Sequence, residues 1–151
     1  MGNLSWRKYI IVLLLVWGYS TEKGFSQEIP EIEKLSEVDG DFQPIKGVGQ
    51  DKEGNLWIAS DHHIEKYNAG RSLFFNRFKG LPKNTGTINT VFVDSRDNIW
   101  VGAETGLLKY DPSKKLFLSI PSERSSKTNV QQITDDGSGD IFMGASSGIW
   151  K

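Results

Sequence analysis

Three segments of this chain repeat one another in a single register, and this repeat limits the fold more than any other feature. Trp57, Trp100 and Phe142 hold equivalent places, 43 and 42 residues apart. An apolar pair precedes each of them, and a second apolar pair follows in step. A period in this range is typical of supersecondary units that bury their apolar faces by stacking on their neighbours.

Each unit has the pattern of short β-strands. Val, Ile, Phe and Trp recur with period two or in short runs, and turn residues separate these runs. The second unit predicts strands at about Ile88–Val93, Asn98–Ala103, Gly106–Asp111 and Lys115–Ile120. Four antiparallel strands at this period form the blade of a β-propeller. We therefore predict an all-β fold, a partial β-propeller of four-stranded antiparallel blades about 42–43 residues long.

The N-terminus has the order of a secretory signal. Arg7 and Lys8 precede the apolar run Ile10–Tyr19, and a polar stretch with small residues follows. We predict cleavage after Ser26, with a buried core helix and a retained signal anchor as the alternatives. The chain stops inside its third unit, so we expect a fragment of a longer protein. The predicted segments are a signal peptide at 1–26, a leading strand and linker at 27–44, blades at 45–87 and 88–129, and an incomplete blade at 130–151.

Residues that recur in every unit are expected to build the repeat. The aspartates sit one per turn, where each can accept backbone N–H bonds, so turn closure is favoured over a calcium site that would need six to eight converging oxygens. Trp57 and Trp100 are expected to be buried between blades, because packing recurs in each blade whereas a ligand contacts a few blades asymmetrically. The structural set is Asp51, Gly54, Trp57, Asp94, Trp100, Gly102, Gly106, Tyr110, Asp136, Phe142, Gly144 and Gly148.

Three residues depart from the repeat and are the candidate ligand contacts. His62 and His63 occupy a turn where the other units have a small residue followed by glycine, and Trp150 has no aromatic counterpart. Adjacent histidines on a strand point to opposite faces, so the pair is a poor metal clamp. The lysines Lys109, Lys114 and Lys115 are expected to lie in solvent.

Composition excludes several functional classes. The chain has no Cys and only two histidines, so we expect no thiolate site, no His-rich metal site and no cofactor. Its net charge is −1, which predicts no nucleic-acid partner for this segment.

At the repeated residues the chain resembles the two-component regulator propeller repeat. The match covers residues 45–151. It includes Asp51, Gly54, Leu56, Trp57, Ile58, Gly80, Leu81, Pro82 and Asn84, then Asp94, Ile99, Trp100, Val101, Gly102, Gly106, Leu107, Tyr110 and Asp111, then Asp136, Ile141, Phe142, Gly144, Gly148 and Ile149.

The resemblance implies the N-terminal periplasmic sensor part of a hybrid two-component sensor histidine kinase. It implies a non-catalytic, extracytoplasmic propeller, periplasmic or extracellular, with an unknown ligand of the oligosaccharide class. Further blades, an inner-membrane anchor and the signalling domains would lie outside this chain. Because both end faces of a partial propeller are apolar, we also expect self-association.

Two alternatives belong to other functional classes. Streptogramin-type lyases also resemble this repeat, but they would need a His base, an acid and a metal near one mouth, and only His62 and His63 are available here. A secreted or surface structural propeller of a secretion system is the other alternative. The sequence therefore favours a binding module and leaves enzymatic activity undecided.

Overall fold

The chain forms three consecutive antiparallel sheets. The computed structural model describes residues 44–121 and 128–151. In these ranges every regular element is a strand, and no helix is long and apolar enough to cross a membrane. The strands are β1 Ile45–Gln50, β2 Leu56–Ser60, β3 His63–Asn68, β4 Arg71–Asn76, β5 Ile88–Val93, β6 Ile99–Ala103, β7 Gly106–Asp111, β8 Leu116–Ser119, β9 Val130–Asp135, β10 Ile141–Ala145 and β11 Gly148–Trp150.

Each sheet is a simple meander, as expected for a propeller blade. The orders are β1-β2-β3-β4, β5-β6-β7-β8 and β9-β10-β11, and all pairings are antiparallel. We call these sheets blade 1, blade 2 and blade 3. The all-β prediction is confirmed, and the strands of blade 2 agree with the predicted ones within one residue. In the described ranges, the three blades do not close into a ring.

All three blades share one irregularity as well as their strands, since the β9–β10 register also shifts, between Val130 and Gln132. The β1–β2 register shifts between Ile45 and Gly47, and the β5–β6 register shifts between Ile88 and Thr90, which is the same place in the repeat. A bulge increases the local twist of a strand. The repeat therefore determines both the position of the first strand of each blade and the place at which that strand bends.

The main hydrophobic core lies between blade 1 and blade 2. Trp57 is 1% exposed and packs against Phe75 of its own blade and against Tyr110 and Phe117 of blade 2, with ring centroids 4.9–6.1 Å apart. Burial of such a side chain contributes about 2–3 kcal/mol. The prediction that Trp57 is buried between blades agrees with this position.

A second, smaller core lies between blade 2 and blade 3. Its buried members are Leu107, Val130 and Ile133, and Trp100 packs against them. The backbones approach closely here, because a Cβ added to Gly102 would lie 3.0 Å from the backbone oxygen of Val130. Trp100 packs between blade 2 and blade 3 as expected, but it is half-buried, whereas Trp57 is fully buried. Blade 3 provides Val130 and Ile133 at this interface, whereas blade 2 provides the rings of Tyr110 and Phe117 to Trp57.

One apolar face of blade 1 is exposed. Ile45 and Val48 on β1 are each 57% exposed, whereas the equivalent Ile88 and Val91 on β5 are 0% and 5% exposed. The difference arises because Ile88 and Val91 lie on the face of blade 2 that packs against blade 1. Ile45 and Val48 lie on the equivalent face of blade 1, which no other blade covers in the described ranges. The predicted signal peptide at 1–26 and nearly all of the leading segment at 27–44 lie outside the described residues.

Candidate functional site

A cavity of about 700 Å³ lies at the end of the sheets where three connections meet. These are the β2–β3 turn, the β4–β5 connection between blade 1 and blade 2, and the β6–β7 turn. We call it the loop-end cavity. Its lining combines aromatic, cationic, imidazole and carboxylate groups, including His62, His63, Phe74, Arg77, Phe78, Lys83 and Glu104.

The β2–β3 turn is fixed to both blades. The backbone carbonyl of Asp61 accepts a hydrogen bond from Ile88 N at 2.9 Å, and Lys46 Nζ lies 3.0 Å from Asp61 Oδ1. In the other blades the equivalent turns end at Gly106 and Gly148, with φ of +129° and +125°. Neither His62 nor His63 has positive φ. The histidines therefore change the backbone of this turn as well as its side chains.

His63 is held in a defined orientation. Its Nδ1 lies 2.8 Å from Ser60 Oγ, and its ring meets Phe74 edge-on with centroids 5.6 Å apart. Burial lowers the pKa of His63, while the carboxylate of Glu65 opposes this shift. The lowered pKa favours the neutral imidazole at neutral pH.

The β4–β5 connection begins with a tight turn capped by Asn76. Its Oδ1 accepts bonds from the backbone N–H groups of Phe78 at 2.9 Å and Lys79 at 3.1 Å. The carbonyl of Gly80 then accepts a bond from Phe117 N at 2.7 Å, which fastens the connection to blade 2. Side-chain acceptors of this kind stabilise turns. Arg77 and Phe78 thus project from a held backbone.

The second half of this connection is fastened to the β6–β7 turn. The Thr85 carbonyl accepts a bond from Thr105 Oγ1 at 2.9 Å, and the Thr87 carbonyl accepts one from Glu104 N at 2.8 Å. Thr87 N in turn donates to Glu104 Oε2 at 3.2 Å. Glu104 therefore enters the cavity with one carboxylate oxygen already engaged.

Aromatic surface is available at the mouth of the cavity. Phe78 is 83% exposed, and the guanidinium carbon of Arg77 lies 4.7 Å from the centre of its ring. Phe74 is also exposed. Exposed aromatic rings beside polar groups are the usual components of a small-molecule site.

The structure brings together two of the three predicted ligand contacts. His62 and His63 line the loop-end cavity. Trp150 lies on β11 of blade 3 and is not among the lining residues; its Nε1 donates to Ser147 Oγ at 3.1 Å. Sequence reasoning did not propose Arg77, Phe78, Lys83 or Glu104, although the first two form a cation–aromatic pair in the connection.

The recurring aspartates and tryptophans form a different cluster, on the β1–β2 and β5–β6 turns. Asp51 Oδ1 accepts bonds from Glu53 N and Asn55 N, and Asp51 Oδ2 accepts one from Trp57 Nε1 at 2.9 Å. Asn55 Nδ2 donates to both carboxylate oxygens. Burial would raise the pKa of Asp51, but the bonds from Trp57 and Asn55 outweigh it and the pKa is lowered.

Blade 2 repeats this cluster atom for atom. Asp94 accepts bonds from Arg96 N and Asn98 N, and its Oδ2 accepts one from Trp100 Nε1 at 2.8 Å. Burial is again outweighed by the Trp100 and Asn98 bonds, so the pKa of Asp94 is lowered. Both aspartates have their oxygens occupied by donors, which fits turn closure.

Blade 3 carries a reduced version of the cluster. Asp136 Oδ1 accepts bonds from Ser138 and from the backbone of Gly139 and Asp140. Phe142 stands where the other blades have Trp, so no indole N–H reaches the carboxylate. Asn also changes to Asp140 in this blade. This joint change of Asn and Trp was the sequence signal for the indole–carboxylate bond, which we did not predict.

A lysine lies over the repeated aromatic ring in each blade. The Nζ atoms of Lys66, Lys109 and Lys151 are 5.0, 4.9 and 5.7 Å from the rings of Trp57, Trp100 and Phe142. The expectation that Lys109 lies in solvent is therefore wrong. Its position on β7 directs the ammonium onto a ring of the neighbouring strand.

Comparison with known proteins finds likeness at the level of structure. No protein-family model matches the chain, and no curated protein matches it. Two structures of the extracellular domain of BT4673 from B. thetaiotaomicron align with 74% of the chain at 16% identity, with TM-scores of 0.60 and 0.58. BT4673 is described as a one-component system in the first and as a hybrid two-component system in the second.

A third solved structure is more similar in sequence. The extracellular domain of BT3049 from B. thetaiotaomicron, described as a hybrid two-component system, aligns with 70% of the chain at 25% identity and a TM-score of 0.55. The chain spans only 15–16% of the length of these three structures. The two BT4673 structures, at 16% identity, show a likeness of fold alone. All three structural neighbours are extracellular domains of signalling systems.

Proposed function

We propose that this chain is a non-catalytic, extracytoplasmic sensor module that binds a ligand of the oligosaccharide class in the loop-end cavity. One observation carries the proposal. Connections from blade 1 and blade 2 converge on a cavity of about 700 Å³ that presents exposed aromatic rings next to polar and charged groups. Such a lining suits a ligand that has both apolar and hydroxyl-rich faces.

Structural likeness supports an extracytoplasmic location for this chain. The neighbours at TM-scores of 0.55–0.60 are extracellular domains of one- and two-component systems. The signal-like order of residues 1–26 favours export in the same direction. Further blades, a membrane anchor and signalling domains are proposed partners outside this chain.

The cavity geometry supports a way of transmitting the signal. His62 belongs to a turn of blade 1, and Glu104 belongs to a turn of blade 2. A ligand that contacts both turns would favour one relative placement of the two blades over others. Differential affinity of this kind shifts a conformational equilibrium, which downstream domains can then report.

Calorimetric titration of the purified chain with a panel of oligosaccharides tests the proposal. We expect at least one member to bind. Phe78→Ala should weaken its binding about tenfold because the exposed ring is lost, as expected for an aromatic contact of about 1–2 kcal/mol. The matched control is Leu118→Ala, an exposed apolar residue on β8 that does not line the cavity.

Two outcomes would overturn the proposal. In the first, no oligosaccharide of the panel binds. In the second, Phe78→Ala and Leu118→Ala weaken binding equally, which would place the ligand elsewhere. Release of a cleaved sugar or an unsaturated product during the titration would favour the lyase alternative.

A further inference from the structure

We propose that the ligand of the loop-end cavity carries an anionic group, a carboxylate or a sulfate, which Arg77 and Lys83 bind. The inference rests on the proposed function, because it specifies the ligand class of that same site. Two cations line the cavity without an acidic partner among the described residues, and the cavity holds an aromatic surface against which the rest of the ligand can pack.

Arg77 is oriented for binding. Its guanidinium carbon lies 4.7 Å from the centre of the Phe78 ring, and this cation–aromatic contact holds the guanidinium beside the aromatic surface of the cavity. Among the residues that the structure describes, no carboxylate pairs with Arg77. A guanidinium with free edge donors matches a carboxylate or sulfate in a two-point contact.

Lys83 stands on a rigid turn. The carbonyl of Pro82 accepts bonds from Thr85 N at 3.2 Å and from Thr85 Oγ1 at 2.7 Å, which closes the backbone around Lys83. The Lys83 side chain is exposed and lines the cavity. It has no acidic partner in the described part of the chain.

Several lysines elsewhere in the molecule are paired with acidic groups. Lys46, Lys66 and Lys114 each have a carboxylate oxygen within 4.0 Å. In the described part of the chain, neither Arg77 nor Lys83 has such a partner, although the chain as a whole has a net charge of −1. Uncompensated charge in a concave site attracts ligands of the opposite sign.

The acidic group within the cavity does not cancel this charge. Glu104 is the one carboxylate among the lining residues that the structure describes, and its Oε2 is bonded to Thr87 N. The neutral state of His63 adds no charge at neutral pH. Arg77 and Lys83 together thus exceed Glu104 by one positive charge.

Matched pairs of oligosaccharides test this inference. The probes are the α-1,4-linked galacturonate trimer and the neutral α-1,4-linked galactose trimer, then a cellouronate trimer and cellotriose, then a sulfated galactose oligosaccharide and its desulfated form. Citrate serves as a carboxylate without a sugar. Calorimetry on the full chain should show binding of acidic members and at least tenfold weaker binding of their neutral counterparts.

The variants locate the anionic contact. Arg77→Gln and Lys83→Gln should each weaken acidic-probe binding about 10- to 100-fold, as expected for the loss of a charge-assisted contact. Lys79→Gln is the matched control, because Lys79 lies in the same connection, is exposed and does not line the cavity. The control should bind as the unmodified chain does.

Each result is decisive. Preference for uronates over the sulfated probe identifies a carboxylate as the anion, and the reverse preference identifies a sulfate; both support the inference. Binding of neutral members only overturns the inference and leaves the proposed function standing. The inference is also overturned if Lys79→Gln weakens binding as much as Arg77→Gln and Lys83→Gln do, or if citrate binds as tightly as the acidic oligosaccharides. Either result would indicate general charge attraction. Binding of no oligosaccharide counts against the proposed function itself.

Discussion

The interface between blade 1 and blade 2 and the interface between blade 2 and blade 3 use the same repeat residues with different results. Trp57 is enclosed by Phe75, Tyr110 and Phe117. Trp100, its equivalent, is half-buried against Val130 and its neighbours. Blade 2 supplies aromatic rings to Trp57, whereas blade 3 supplies aliphatic residues such as Val130 and Ile133 to Trp100.

This comparison separates two kinds of information in a repeat. The indole–carboxylate bond forms in both blades, at 2.9 Å and 2.8 Å, because all its members lie within one blade. Enclosure of the ring depends instead on strands contributed by the next blade. Stability of stacked repeats is therefore divided between terms intrinsic to a blade and terms that belong to its neighbours.

The sharpest test places the same substitution, valine to aspartate, on the buried face of blade 2 and on the equivalent exposed face of blade 1. Val91→Asp should lower the free energy of unfolding by about 3–5 kcal/mol, because it buries an unpaired charge between blade 1 and blade 2. Val48→Asp, at the equivalent exposed place, should leave folding nearly unchanged. Urea unfolding followed by far-ultraviolet circular dichroism measures both.

The same pair of variants tests self-association. Val48→Asp should also reduce self-association in sedimentation experiments, since we expect the exposed Ile45 and Val48 face to stack on a second copy. Similar unfolding losses for the two variants, or unchanged sedimentation of Val48→Asp, would contradict the comparison.

Truncation of the two tryptophans should give unequal losses. Trp57→Ala is expected to cost about 3–5 kcal/mol, the usual range for a buried aromatic ring, and Trp100→Ala about 2 kcal/mol. The difference follows from the enclosure of Trp57 by rings of blade 2. Circular dichroism is again the readout, because the substitutions alter fluorescence directly. Equal losses would show that neighbouring blades add little.

Replacement of the turn aspartates should show how much each cluster contributes to the free energy of unfolding. Asp51→Ala should cost about 1–3 kcal/mol, because it leaves the indole N–H of Trp57 and the backbone N–H of Asn55 without their acceptor. Asp136→Ala should cost less, since its donors are exposed to water. Urea midpoints of the two variants measure these losses. A larger loss of stability in Asp136→Ala than in Asp51→Ala would contradict the prediction.

Acid should weaken the clusters of blade 1 and blade 2. The folded pKa values of Asp51 and Asp94 lie below the ordinary value of 3.8. Their stabilisation is therefore complete above that value and is lost as the pH falls through the lowered folded values. Urea midpoints at pH 7 and pH 3 should differ less in Asp51→Asn than in the unmodified chain. An unchanged pH dependence would contradict this assignment.

The smallest expected effect is a gain in blade 3. Asp140→Asn combined with Phe142→Trp restores the residues that blade 1 and blade 2 have at these places. The new indole–carboxylate bond to Asp136 should stabilise the chain by about 0.5–1.5 kcal/mol. Asp140 loses its ion pair with Lys151 in this variant, but exposed pairs contribute little. Protection of β9–β10 amides against hydrogen exchange measures the gain; no added protection would contradict it.

The repeat in the sequence was sufficient for the fold of the described residues. Strand positions follow from period-two alternation, and the turns follow from aspartates that accept bonds from residues two and four places ahead, as Asp94 does from Arg96 and Asn98. These are local effects, with partners close along the chain. For the same reason the sequence placed the strands of blade 2 within one residue.

The candidate site depended on contacts that local patterns do not contain. The sequence singled out His62 and His63, but only the tertiary structure placed Arg77, Lys83 and Glu104 around the same cavity and left Trp150 outside it. It also decided that Trp57 is enclosed while Trp100 is half-buried. The physical reason is that local hydrogen bonding fixes each strand and turn, whereas burial and convergence depend on which blade stacks on which face.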